Sequence, residues 1–282
     1  MNAWEEVQGV EHGSGVRASS QNARTYFQGV RIDNVSAQQA LHVVETHLAN
    51  HDRRNALRVF FPNVHSIHLA RQDKEFLSCI NEADLLLPDG SGLMIAGKIL
   101  GRPIVENLNG TDFIPKVLQR AEERGWSVYL FGALPHIIEE CRNRIQAAHP
   151  RLKIVGHHQG HIPEGEDSSI IADINEKAPN IILVALGSPL QEKWVARNAA
   201  KMNAGVCFAV GGLFDFLAGK YRRAPVWMRR IGAEFIYRFV QDPRSKWRRL
   251  LIEQPLFLML VFGERFIPRR ARSFSNRSTK GN

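Results

Sequence analysis

The sequence predicts an α/β protein with a mostly parallel, Rossmann-like sheet, helices on both faces of that sheet, and a basic amphipathic helical appendage at the C-terminus. Short apolar runs alternate along the chain with segments whose apolar residues recur at helical spacing. Most of these runs are continuous rather than alternately apolar and polar, which is typical of parallel strands buried on both faces. With 282 residues, 44% of them hydrophobic, the chain can bury one substantial core.

Each predicted strand ends at Gly, Pro, Asn or Asp, residues that favour turns. In chain order the strands are 27–32, 57–61, 85–87, 128–131, 152–155, 181–186 and 206–210. The helices between them cover residues 40–48, 67–70, 76–80, 91–100, 110–125, 137–148, 170–177 and the stretch after Pro189. Ser36 is placed to cap the first helix, and Thr111 and Asp112 suit the first turn of another.

Three regions follow from composition. Residues 1–25 are polar and rich in Gly and Ser, so we expect them to be disordered; residues 26–219 form the predicted α/β catalytic domain; and residues 220–282 form the appendage. The appendage holds 16 of the 37 Lys and Arg residues but only 4 of the 28 Asp and Glu residues. Such a basic tail suggests a partner with phosphates, either nucleic acid or a lipid surface. We also expect the body to fold without the tail.

Arginines, tryptophans and short apolar runs, the longest being 256–262, indicate helices that lie in a membrane interface. The alternative is a pair of C-terminal helices packed on the body, with solvated arginines. No run approaches the eighteen or so apolar residues of a membrane-spanning helix, and no signal peptide is evident. Three scattered cysteines indicate a reducing compartment.

The stretch 84–92 carries the strongest chemical signal. An apolar strand ends at Pro88, and a helix begins at Ser91, which leaves Asp89 at the carboxyl end of a strand, where open α/β sheets bind ligands. Alternatively, Asp89 only fills a turn or caps the helix. Turns at 132–133 and 187–189 also follow strands, so we expect all three turns to line one edge of the sheet.

Several familiar signatures are missing. The motif that starts at Gly90 lacks the third glycine of a dinucleotide-binding fingerprint, and there is no Walker loop, no Gly-x-Ser-x-Gly, no His-Glu-x-x-His and no Asp-x-Asp. His157, His158 and His161 are the best metal candidates, although paired histidines in a Gly-rich loop are more often unliganded. We therefore predict neither a cofactor nor a metal site.

An ordered set of motifs nevertheless carries a specific pattern. The motifs are Pro88-Asp89-Gly90, Gly110-Thr111-Asp112, Gly187-Ser188-Pro189 with Gln191-Glu192, Gly211-Gly212 with Phe214-Asp215, Gly219, and Arg223-Ala224-Pro225. Over about residues 30–249 this set resembles the WecG/TagA/CpsF glycosyltransferases (glycosyltransferase family 26). The resemblance implies a peripheral enzyme on the cytoplasmic face of a bacterial inner membrane, working in surface or exopolysaccharide synthesis.

The resemblance also implies a reaction. Such enzymes transfer a sugar, best known as N-acetylmannosamine, from a UDP-sugar to an undecaprenyl-diphosphate-linked sugar, with inversion and without a metal. Asp89 would be the catalytic base, since an ordinary aspartate, with a pKa of about 4, is ionised at neutral pH. A possible homo-oligomer is a further implication.

The resemblance assigns a binding role to eleven residues. Asn63 would hold sugar hydroxyls, and Gly90 of the Pro88-Asp89-Gly90 motif would bind substrate. Thr111 and Asp112 would face the donor, Gln191 and Glu192 would bind uridine or ribose, and Gly132 and Gly187 would let the nucleotide approach the backbone. Three arginines of the tail would neutralise the lipid diphosphate: Arg223, Arg238 and Arg248.

The chain also departs from the family pattern. Phe61 stands where many members have a small or polar residue, Asn107 where we expect Arg, and Arg244 and Ser245 where Ser then Arg is common. These changes leave open whether the donor sugar is N-acetylmannosamine or glucose. A basic nucleic-acid-binding α/β protein remains the alternative function, and its signature would be salt-sensitive binding to RNA or DNA.

Overall fold

The computed structural model describes residues 24–50, 56–161, 167–221, 224–225, 228 and 234–266, without the side chains of Arg238 and Ser245. The strands are β1 (Arg24–Phe27), β2 (Val30–Asp33), β3 (Leu57–Phe60), β4 (Leu85–Leu86), β5 (Ser127–Gly132), β6 (Lys153–His158), β7 (Ile181–Ala185) and β8 (Val206–Ala209). The predicted disordered stretch 1–25 lies almost wholly outside the described residues, so its disorder stays a prediction.

The helices alternate with the strands of the body. They are α1 (Ala37–Asn50), α2 (Val64–Gln72), α3 (Lys74–Asn81), α4 (Ser91–Ile99), α5 (Gly110–Arg124), α6 (Pro135–Ala148), α7 (Asp167–Lys177), α8 (Leu190–Asn198) and α9 (Leu213–Leu217). The predicted cap of α1 is confirmed, because the Gln39 backbone N–H donates to Ser36 Oγ and the Ser36 backbone N–H donates to Gln39 Oε1.

A six-stranded sheet forms the centre of the body, in the order β4-β3-β8-β7-β5-β6, and every neighbouring pair is parallel. Its residues feed two separate apolar clusters. Val59 of β3 packs into the cluster shared with α1, α5 and α6, whereas Phe60 packs into the cluster shared with α2, α3, α4 and α8. Both faces of the sheet are therefore covered, and the predicted fold class is confirmed.

The prediction of one continuous strand over residues 27–32 is wrong. Residues 27–32 instead belong to a two-stranded antiparallel hairpin, in which Phe27 pairs with Val30. The chain reverses at Gln28 and Gly29, which both have positive φ angles, 49° and 87°. Such angles are what two-residue hairpins require, but Gln-Gly is not one of the usual hairpin dipeptides.

The C-terminal segment, residues 234–266, lies against the body. It contains α10 (Glu234–Gln241), α11 (Pro243–Arg248), a π-helical turn (Arg249–Glu253) and α12 (Gln254–Phe266). Phe257 and Val261 of α12 are buried in the same apolar cluster as α2 and α4. The expectation that the body folds without the tail therefore conflicts with the packing, because the body's core includes side chains from the tail.

Two contacts fix the position of α12. A Cβ added to Gly92 of α4 would lie 2.5 Å from Cγ2 of Val64 in α2 and 3.0 Å from Oε1 of Gln254 in α12, so this glycine permits the close approach of α4 to both helices. Near the other end of α12, Glu264 accepts a hydrogen bond from Gln28 and pairs with Arg102. Among the described residues, no helix is both long enough and apolar enough to cross a bilayer.

Candidate active site

A cavity of about 430 Å³ opens at the carboxyl edge of the sheet. Segments that follow four adjacent strands, β4, β3, β8 and β7, form its wall, and the C-terminal segment contributes residues on another side. Its lining includes six of the predicted site residues, which are Asn63, Asp89, Gly90, Thr111, Gly187 and Gln191. The position agrees with the expectation that ligands bind outside the carboxyl ends of parallel strands.

Asn63 and Asp89 are neighbours at this edge because the parallel pairing of β3 and β4 continues past the strands. The backbone N–H of Leu87 donates to the Phe60 carbonyl, and that of Asp89 donates to the Pro62 carbonyl, at 2.9 Å each. Nδ2 of Asn63 then lies 3.4 Å from Oδ2 of Asp89. Oδ1 of Asn63 accepts from the Ser66 backbone N–H, which caps α2 and fixes the orientation of the amide.

The turn after Asp89 is held by the segment that precedes α5. Gly90 adopts φ 100° and ψ 154°, a conformation that is essentially restricted to glycine. Its backbone N–H donates to Oδ1 of Asn107 at 2.7 Å. The backbone N–H of Leu108 donates to the Pro88 carbonyl, so the two segments run side by side. Asn107, which the sequence marked only as a departure from the family pattern, thus positions the Asp89 turn.

Of the two predicted donor-binding residues Thr111 and Asp112, only Thr111 lines the cavity. Both contact Asn109, the buried N-cap of α5: Thr111 Oγ1 and the Asp112 backbone N–H donate to its Oδ1, while its Nδ2 donates to Asp112 Oδ2. Thr111 lines the cavity, whereas Asp112 is not among the lining residues. Asp112 therefore supports the start of α5, and Asn109 is a lining residue that sequence reasoning missed.

Gln191 and Glu192 form a buried network. Gln191 Nε2 and Ser188 Oγ donate to Glu192 Oε1 at 2.9 and 2.6 Å, and Oε1 of Gln191 accepts from the Gly211 backbone N–H at 2.8 Å. Ser188, Gln191 and Gly211 line the cavity, but Glu192 lies behind them. Burial raises the pKa of the Glu192 carboxyl, although hydrogen bonds from Ser188 and Gln191 oppose this effect. The network joins the loops that follow β7 and β8.

Gly132 lies outside the lining of the cavity. It ends β5, one strand beyond β7, and a Cβ there would lie 2.4 Å from the Ala185 carbonyl oxygen. A glycine is therefore required at position 132 by the close packing of β5 against β7.

The candidate metal ligands His157 and His158 lie farther away, on the edge strand β6, and Nε2 of His157 contacts Glu139. Among the described residues, no three His, Cys, Asp or Glu side chains are grouped as metal ligands.

One stripe of the C-terminal segment faces the cavity. The segment lines the cavity with Glu234 and Phe235 of α10 and, along the stripe, with Lys246, Arg249, Leu250, Glu253 and Gln254. The same stripe continues to the buried Phe257 and Val261. The spacing of three to four residues is helical, so the sequence contained this signal, but it did not show which stripe meets the body. Two cations, Lys246 and Arg249, thus line the same cavity as Asp89.

None of the three tail arginines predicted to bind the diphosphate is among the described lining residues of the cavity. Arg223 lies outside the described residues. Arg238 belongs to α10, and its side chain is not described. Arg248 ends α11 with an exposed side chain and is not among the lining residues, whereas its neighbour Arg249 is. The predicted charge is present at the cavity, but on residues that the sequence did not single out.

The chain matches the model of the glycosyl transferase WecG/TagA/CpsF family over residues 25–271. It is 29% identical over 248 residues, which are 87% of this chain and 95% of the relative, to N-acetylglucosaminyldiphosphoundecaprenol N-acetyl-beta-D-mannosaminyltransferase of Staphylococcus aureus (strain MW2). It is 31% identical over 183 residues, 64% of this chain and 70% of the relative, to a protein of the same name from Bacillus spizizenii. The match covers both the sheet that carries Asp89 and the C-terminal segment, and the chain belongs to the WecG/TagA/CpsF family of glycosyltransferases.

Proposed function

We propose that this glycosyltransferase transfers a sugar from a UDP-sugar to an undecaprenyl-diphosphate-linked sugar in the synthesis of a cell-envelope polysaccharide. The names of the two relatives support N-acetylmannosamine as the transferred sugar and an N-acetylglucosaminyl-diphosphoundecaprenol as the acceptor. The observation that carries the proposal is the position of Asp89, which follows β4 and lines the same cavity as the cations Lys246 and Arg249 of the C-terminal segment. The family assignment favours this enzyme over the nucleic-acid-binding alternative.

The proposed chemistry is a single displacement with inversion. The acceptor hydroxyl oxygen attacks C1 of the donor sugar, and its proton passes to the Asp89 carboxylate. The bond between C1 and the UDP oxygen breaks, and UDP leaves with the electron pair. A general base of this kind typically contributes about 10²–10⁴-fold to the rate. Asn63 holds the carboxylate in position, and the proposal requires no metal ion.

The C-terminal segment supports a membrane surface as the location of this reaction. Nine of the fourteen large exposed hydrophobic residues in the described part of the chain belong to it. One of them, Phe235, also lines the cavity, and the other eight do not: Ile236, Val240, Trp247, Leu251, Ile252, Met259, Phe262 and Phe266. Arg244, Arg248 and Arg265 are exposed on the same segment. Apolar and basic side chains on one exposed surface suit a helix that lies in an anionic lipid interface. One side of the segment would then face lipid while the other faces the cavity.

A donor screen tests the proposal directly. The protein is incubated with UDP-N-acetylmannosamine, UDP-N-acetylglucosamine or UDP-glucose and a short-chain lipid-diphosphate N-acetylglucosamine, with and without a chelator. We expect transfer from UDP-N-acetylmannosamine that the chelator leaves unchanged, and a product of inverted anomeric configuration. Transfer from none of these donors would contradict the proposal.

Asp89→Asn then tests the base. We expect a loss of about 10²–10⁴-fold in kcat with UDP binding retained, because the amide cannot accept the proton. Asp215→Asn is the matched control, since Asp215 also lines the cavity but its carboxylate is paired with Lys220 at 3.0 Å. It should lose far less activity. Equal losses in the two variants would remove Asp89 from the proposed role.

A further inference from the structure

His65 connects the wall of the cavity to the C-terminal segment. It is the second residue of α2, and it is the only histidine among the described residues that line the cavity. Its Nδ1 lies 2.8 Å from Oε2 of Glu253, which is 188 residues away in the chain. The two side chains are 20% and 9% exposed, so the contact is largely shielded from water.

Glu253 occupies a position where its carboxylate needs a partner. It is the last residue of the π-helical turn and is buried, and a buried carboxylate is costly unless it is paired and hydrogen-bonded. Short π-helical stretches are rare in proteins and occur frequently at functional sites. Here the turn carries Arg249 and Glu253 together to the cavity.

The charges around His65 favour a neutral ring that donates to the carboxylate. Burial lowers the pKa of His65, and the positive charge of Arg249 lowers it further, whereas Glu253 opposes both effects and His68 adds a small lowering. A neutral imidazole with its proton on Nδ1 donates one hydrogen bond to Glu253 and adds no second positive charge beside Arg249. This geometry also fixes the distance between the π-helical turn and α2.

The same helix start holds the proposed base. Asn63, the N-cap of α2, contacts Asp89, and His65 follows two residues later. The first turn of α2 is thus in contact with the Asp89 carboxylate through Asn63 and with the C-terminal segment through His65. A shift of the C-terminal segment relative to α2 would change the distance between Asp89 and the cations Lys246 and Arg249.

We propose that His65 and Glu253 are a positioning pair that holds the π-helical turn of the C-terminal segment against α2, and thereby places Arg249 and Lys246 to bind the diphosphate of the lipid-linked acceptor within reach of Asp89. The inference rests on the proposed function for its acceptor. Neither residue is assigned a bond-making step. Loss of the pair releases the acceptor side of the cavity and leaves the donor side, formed by the loops after β7 and β8, intact.

The test uses the full-length protein with His65→Leu, Glu253→Gln and the double variant. His68→Leu is the matched control, because His68 lies on the same helix, contacts Gln72 and is not among the lining residues. His65→Asn is the rescue variant, since its amide nitrogen can occupy the position of Nδ1. Hydrogen exchange of residues 249–266 is measured without substrate, and KM for the lipid acceptor is measured separately from UDP affinity.

We expect His65→Leu to raise KM for the acceptor about tenfold, with UDP affinity unchanged, since a hydrogen bond to a charged group is at stake. Exchange in 249–266 should accelerate, His65→Asn should restore much of the loss, and the double variant should be no worse than the worse single variant. Additive effects, unchanged exchange, or equal effects of His65→Leu and His68→Leu would overturn the pairing. Because exchange needs no substrate, a failed donor screen would refute the proposed function while leaving the pairing testable.

Discussion

The side-chain amide of Asn63 makes two contacts: its Oδ1 accepts a hydrogen bond from the Ser66 backbone N–H, and its Nδ2 lies 3.4 Å from Oδ2 of Asp89. One side chain therefore both caps α2 and orients the proposed base. The two roles use different atoms, so substitutions can separate them.

Asn63→Ser keeps a good capping oxygen but loses the amide donor to Asp89. We expect a free energy of unfolding close to that of the unaltered protein and a drop in kcat of about tenfold. Asn63→Ala should lose the cap as well, at a cost of about 1 kcal/mol in the free energy of unfolding. Chemical denaturation and steady-state kinetics measure the two effects. Full activity in Asn63→Ser would show that the contact with Asp89 does not matter.

Gly90→Ala should strain the turn that carries Asp89. At φ 100° and ψ 154° a side chain costs about 1–3 kcal/mol, even though the added Cβ would meet no atom within 4 Å. We expect lower stability and lower turnover. Gly110→Ala is the control for stability, because a Cβ there also meets open space and Gly110 lacks a positive φ. Equal stability of the two variants would contradict the strain argument.

Glu192 should make stability depend on pH. Burial raises the pKa of its carboxyl above the unfolded value of 4.5, so the folded state binds more protons than the unfolded state between 4.5 and the raised pKa. In that window the protein loses stability as the pH rises, and Glu192→Gln should not show this loss. Urea denaturation of both proteins from pH 4.5 to 8 measures the difference. If the free energies of unfolding of the two proteins changed with pH in parallel, the pKa of the Glu192 carboxyl would not be raised in the folded protein.

The three cysteines should be unreactive in the folded protein. Cys79, Cys141 and Cys207 are free and buried, and burial raises the pKa of each thiol to about 12. At pH 8 a thiol reagent should modify none of them within minutes, whereas three equivalents should react in denaturant. Rapid modification of one thiol in the native protein would show that its helix or strand opens locally.

Truncation after Gly219 should destabilise the body, because Phe257 and Val261 leave its core. Each such side chain contributes about 1.5–3 kcal/mol when buried, against a total stability of about 5–15 kcal/mol for a typical domain. Thermal or chemical denaturation of the truncated chain measures the loss. An unchanged midpoint would show that the body does not need these side chains.

Membrane binding is better tested on the exposed side of the C-terminal segment. The double variant Leu251→Glu with Met259→Glu changes side chains that are 62% and 70% exposed, so the fold should be retained. We expect weaker co-sedimentation with anionic vesicles than for the unaltered protein, since the variant removes apolar area and adds negative charge. Leu134→Glu, at an exposed site on the body, is the control. Equal binding by both variants would count against the interfacial surface.

Much of the fold could be predicted because it depends on local chemistry. The continuous apolar runs of β5 and β7, the cap at Ser36 and the proline that ends β4 each act within a few residues, and all are present in the structure. The hairpin of β1 and β2 was missed because Gln28 adopts a positive φ that its residue type does not signal. Asp89 could be located at a strand end for the same local reason.

The sequence by itself determined the alternation of strands and helices, the family motifs and the basic, apolar character of the tail. Only the tertiary structure decided which strand ends are neighbours, so it alone joined Asn63 to Asp89 and placed Gly132 beyond the cavity. It also divided the tail into a stripe that faces the cavity and an exposed apolar surface. Helical spacing shows which residues share a face, but which face is buried depends on contacts with residues far away in the chain, such as that between His65 and Glu253.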